Sequence, residues 1–114
     1  SMGVEYKLPL ALQDNLESLG LSEEEIKANI EKHAQGSRVY FDAMLGGIKL
    51  TEDQVKLLRE CYIQYKLFAD VGMDESRESQ RLFMNSFING LKKNADLAKA
   101  ESKAQNSVKR MRVL

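Results

Sequence analysis

Few side chains in this sequence could do covalent or metal chemistry, and they are scattered. There is one histidine, His33, and one thiol, Cys61. A general base needs an orienting partner and a nucleophile, and a zinc site needs three or four Cys, His or carboxylate ligands. Neither set can be assembled from local spacing. Glu23, Glu24 and Glu25 are consecutive acids, but neighbours on a helix point in different directions and cannot converge on one ion. They serve better as acids at the positive end of a helix dipole, directly after Ser22. Gly46-Gly47 lacks both the GxxxxGK[ST] pattern and the preceding strand of a phosphate loop. The residue inventory thus predicts a protein that is not an enzyme, with no cofactor and no metal site.

What remains is binding. Residues 91 to 114 hold seven bases against two acids, whereas residues 1 to 35 hold seven acids against three bases, so the overall balance of zero conceals oppositely charged ends. Lys99, Lys103, Lys109, Arg110 and Arg112 are the candidates for nucleic-acid contact through phosphates. No aromatic side chain among them could stack on bases, and the acidic remainder of the surface would repel a phosphate backbone.

The elements that must carry these groups read as helices. No alternating β-branched run is joined by an Asn-Gly or Asp-Gly turn, and one proline and seven glycines leave long uninterrupted stretches. The expected fold is all-α, a small bundle of about five helices organised around a central helix at 52–71 and a long C-terminal helix. A length of 114 residues suits one domain, placed at 9–104. Residues 1–8 form an entry segment in which Ser1, with or without Met2, reads as an expression remnant. Residues 105–114 read as a basic tail that frays.

Thr51 with Gln54, and Ser22 with Glu25, are capping boxes; Gly20 and Gly72 are helix stops. Pro9 suits a helix start, ahead of Leu10, Leu12, Leu16 and Leu19 on the apolar face of a short first helix. Gly36 is expected to end a second helix that carries Ile26, Ile30 and Ala34, and Ser37 to cap a third running to Gly46. In the last helix, Phe83, Met84, Phe87, Ile88, Leu91, Ala95 and Ala98 form a stripe that tapers to alanine. Asn89-Gly90 is its weak point, where the helix either continues or breaks. A helix-turn-helix outline from Phe68 to Leu82 fails because Glu78 and Arg81 fall where its second helix needs apolar residues.

Helical stepping through the central stretch gathers Val55, Leu57, Leu58, Cys61, Tyr62, Tyr65, Phe68 and Ala69 within an arc of about 160°. Ile63 and Leu67 fall instead in the middle of the charged arc. Either a terminal segment or neighbouring helix covers them, or they form a partner surface; they are the partner-binding candidates. The function expected is that of an adaptor, inhibitor or regulatory subunit acting through contacts with another protein or with itself as a homo-oligomer; the alternative is an oligomeric nucleic-acid-associated protein. With a lone cysteine, no run of 18 apolar residues and no signal-peptide pattern, a cytoplasmic location without membrane contact is expected.

Overall fold

The computed structural model describes residues 5–113. Four helices follow one another: α1 (Leu10–Ser18), α2 (Glu23–Leu45), α3 (Glu52–Asp70) and α4 (Asp74–Val113). The all-α class holds, with four helices in place of about five. The capping signals act as their spacing predicts. Ser22 and Thr51 each accept a hydrogen bond from the backbone N–H three residues on, while Glu25 and Gln54 accept one back from the caps' N–H groups. The bond from Ser22 N–H holds the Glu25 carboxyl below its ordinary range. Both short connections close in the same way. Leu21 N–H reaches the Leu16 carbonyl and Met73 N–H the Phe68 carbonyl, each across a glycine at positive φ, Gly20 at 85° and Gly72 at 74°. These are six-to-one helix ends that an L side chain would strain.

One boundary differs from expectation. The helix expected to end at Gly36 continues through it to Leu45, and Ser37, instead of capping a new helix, donates its hydroxyl proton to the Ala34 carbonyl at 2.6 Å. The ring of Tyr62 on α3 lies against Gly36: a Cβ there would stand 3.5 Å from the Tyr62 hydroxyl oxygen. The ring packs beside Tyr40 and Phe41, with centroids 5.3 and 6.0 Å from that of Tyr62. Because 3.5 Å is an ordinary contact and the backbone is helical, Gly36→Ala is expected to raise stability by about 0.5–1 kcal/mol in urea denaturation. A loss of stability would mean that Tyr62 cannot accept a methyl group.

α3 is the middle of the molecule, packing against α4 and α2, which meet each other only narrowly. It feeds two apolar clusters. At one end Leu12 and Leu16 of α1, Ile26 and Ala34 of α2, and Ile63, Leu67 and Phe68 of α3 are buried together. At the other, Phe41 and Leu45 of α2 and Leu58 and Cys61 of α3 surround Met84, Ile88 and Leu91 of α4. Leu10 and Leu19, expected on the buried face of α1, are exposed, as is Ala69 of α3. Beyond Leu91, α4 leaves the bundle: Ala95 is half-buried and every later residue through Arg112 is exposed. Asn89-Gly90 does not break it, and residues 105–113 of the stretch read as a fraying tail are its last turns, Leu114 lying outside the described residues. At 40 residues the helix is about 60 Å long. The radius of gyration is 19.1 Å, against about 13 Å for a compact chain of this length.

Candidate interaction surface

Ile63 and Leu67 do not form a surface. Their exposures are 0% and 1%, and they lie in the cluster beneath α1. The covering is both a neighbouring helix and a terminal segment. Leu12 and Leu16 pack from α1, while the chain before it crosses the same side of α3, where Glu60 accepts a hydrogen bond from Lys7 N–H at 3.4 Å and Gln64 donates one to the Lys7 carbonyl at 3.0 Å. Polar residues on this arc thus tie the entry segment to α3 through exposed hydrogen bonds. Both candidates are therefore core residues.

His33 and Cys61 do not meet in a catalytic arrangement. His33, on α2, is buried, and its Nε2 lies 2.9 Å from Oδ2 of Asp70 at the end of α3. A carboxylate only accepts, so Nε2 carries the proton and the contact clasps two helix segments. Cys61 lies in the other cluster among Leu58, Met84 and Ile88. Burial, with a smaller contribution from Glu60, pushes its thiol up to about 11, opposite to the shift that activates a nucleophile. The native thiol is therefore expected to react with an aromatic disulfide reagent at pH 8 only as the chain unfolds; rapid stoichiometric labelling would contradict this burial. Because the folded value lies above the ordinary 9.0, the contribution of this group to stability is intact below pH 9 and is lost as pH rises through about 11. Urea midpoints should fall across that window more steeply for the native chain than for Cys61→Ala.

Among the described residues, no three His, Cys, Asp or Glu side chains gather where they could hold a metal ion, and no helix is long and apolar enough to cross a membrane. A cleft of about 400 Å³ opens at the Gly46-Gly47 turn over Phe41 and Leu58, with Arg38, Asp42 and Arg59 at its rim. Neither His33 nor Cys61 lines it.

The basic candidates all lie on the exposed end of α4. Helical geometry puts Lys99, Lys103 and Arg110 within about 40° of one another and turns Lys109 and Arg112 to a different flank, so they form two short rows.

The larger surface feature is apolar. Exposed on α4 are Leu82, Phe83, Leu97, Val108 and Met111, with fractional exposures of 52% at Phe83, 59% at Leu97 and 73% at Met111. With Ala100 and Ala104 they occupy one arc of about 100° at a step of 100° per residue. The centre of this arc is turned about 140° from the centre of the face that buries Met84, Phe87, Ile88 and Leu91. α4 thus carries one apolar face in the bundle and, in solvent, a second row of apolar side chains interrupted by Ser86 and Lys93 and edged by Glu101. The signal was present in the seven-residue spacing of Phe83, Gly90, Leu97, Ala104 and Met111. Its alanines and glycine dilute the hydropathy, and the bulkier core stripe hides it. Near the start of the helix, Arg81 donates to Glu78 at 2.9 Å, holding that carboxyl below its ordinary range.

No protein-family model matches this chain, and neither a curated protein nor a solved structure does.

Proposed function

We propose that this is a non-enzymatic helical interaction protein, an adaptor, inhibitor or regulatory subunit, and that it docks through the solvent-facing stripe of α4. The observation that carries this reading is the stripe's extent. It runs from Leu82 past the end of the bundle to Met111, along a helix that no other part of the described chain covers beyond Ala95. Helices in proteins take most of their stability from packing an amphipathic face, and an exposed apolar row is a feature that a partner would bury.

The test is lysine-directed cross-linking with mass spectrometry on the tagged chain in its native source. Lys93 lies within the stripe's arc and Lys92, Lys99 and Lys103 stand on the adjoining flank, so all four report on it. Intermolecular cross-links from these residues are expected in the native chain and are expected to vanish in Leu97→Asp combined with Met111→Asp. Equal cross-linking in the two chains would reject α4 as the docking face.

The second reading, nucleic-acid association, rests on the exposed row of Lys99, Lys103 and Arg110. It requires retention on a phosphate-rich polymer that falls steeply with salt.

A further inference from the structure

We infer that the solvent-facing stripe of α4 takes a second copy of this chain, docked antiparallel, so that the acidic start of each α4 meets the basic end of the other. The inference rests on reading α4 as a docking face and goes further by naming the occupant and its direction.

Charge sets the direction. At the start of α4 Asp74, Glu75 and Glu78 stand with Arg77 and Arg81, a balance of −1, and near its end stand Lys109, Arg110 and Arg112, a balance of +3. A parallel pair would set acids beside acids at one end and bases beside bases at the other. An antiparallel pair brings opposite charges together at both ends, although Glu78 already has Arg81 as a neighbour. Like charges across an interface disfavour the wrong orientation more strongly than rim pairs stabilise the right one.

Shape sets the register. Centring the two-fold axis between Lys93 and Asn94 puts Phe83 opposite Ala104, Leu97 opposite Gly90 and Ser79 opposite Val108, so at these three levels a large side chain faces a small one, while Lys93 of each copy flanks the axis and Leu82 meets Gln105. Gly90 is otherwise unexplained. Glycine within a helix costs about 1 kcal/mol relative to alanine, yet no atom lies within 4 Å of where its Cβ would be. Among the described residues nothing requires a glycine there. Its angular position is on the exposed stripe, close to the proposed axis, where a Leu97 side chain from the other copy would approach the backbone.

The bundles permit the arrangement. Each occupies the first half of α4 and packs on the face turned about 140° away from the stripe. Two copies therefore place their bundles at opposite ends and on opposite sides of a two-helix rod, and the two-fold pairing closes without leaving a free face for further addition.

The test uses the purified full chain. Sedimentation equilibrium over a concentration series should show a dimer, and Leu97→Asp with Met111→Asp should raise its dissociation constant by about 100-fold or more, because four carboxylates would be buried without partners. The far-ultraviolet helical signal at matched monomer concentration should be preserved. Direction is read from two single variants, Ser79→Cys and Val108→Cys, under mild oxidation. Mixed together they should give a disulfide-linked pair, and each alone should give none; Cys61, being buried, stays out of the reaction. Homodisulfides from the separate variants would show a parallel pair and overturn the inference. A native chain that stays monomeric at millimolar concentration would overturn it too. If α4 cross-links in the native source then still depend on Leu97, the docking face stands and a different protein occupies it.

Discussion

Replacing Ile63 and Leu67 together by aspartate is expected to abolish the folded state. Both side chains are buried among Leu12, Leu16, Ile26, Ala34 and Phe68, and no basic group is bonded to either position. A carboxylate without a partner in such a cluster costs several kcal/mol. Two of them approach or exceed the 5–15 kcal/mol that separates typical domains from their unfolded states. Milder changes should scale with the volume removed: Leu67→Ala costs about 2–5 kcal/mol and Ile63→Val about 0.5–1.5 kcal/mol. Circular dichroism with urea denaturation reads all three. A double aspartate variant that kept the native midpoint would return these residues to the surface. Because α3 runs through both clusters, the Leu67→Ala chain should also unfold in a single step; two separated transitions would show that the α1 end opens independently.

These two residues also show what the sequence could disclose. Helix starts and stops were legible because a capping box or a terminal glycine works over three to six residues. Ser22, Thr51, Gly20 and Gly72 act as their spacing predicts. The all-α class and the long last helix followed from the apolar spacing. The location of Ile63 and Leu67 was not legible, because helical stepping rewards one wide stripe and α3 is covered on two sides. Glu60 and Gln64 made the second side look solvated, while in the folded chain both are bonded to the backbone of Lys7. Gly36 misled for a related reason: a glycine in mid-helix, packed against Tyr62, has the same letter as one that ends a helix. Each failure depends on a contact between residues far apart in sequence. The exposed stripe of α4 failed differently. It could be found only after the buried face was known and subtracted.

That subtraction leads to a second large effect, which separates the two faces of α4 within one helix. Ile88, 1% exposed beside Leu58 and Met84, is expected to cost about 2–5 kcal/mol when cut to alanine, because the gap left between α3 and α4 cannot fully collapse. Leu97, nine residues further along the same helix, should change monomer stability by no more than about 0.5 kcal/mol under the same substitution. Alanine is also a slightly better helix former than leucine, which partly offsets any lost contact. Denaturation at low micromolar concentration isolates this monomer contrast. Raising the concentration should then reverse the picture for Leu97, since a species that binds only the folded state stabilises it by mass action. The native midpoint should climb with concentration, and the Leu97→Ala midpoint should climb less. Equal costs for Ile88→Ala and Leu97→Ala at low concentration would mean that the far half of α4 folds back onto its own bundle. Without such folding back, the helix has one face that builds the domain and another that remains available for docking.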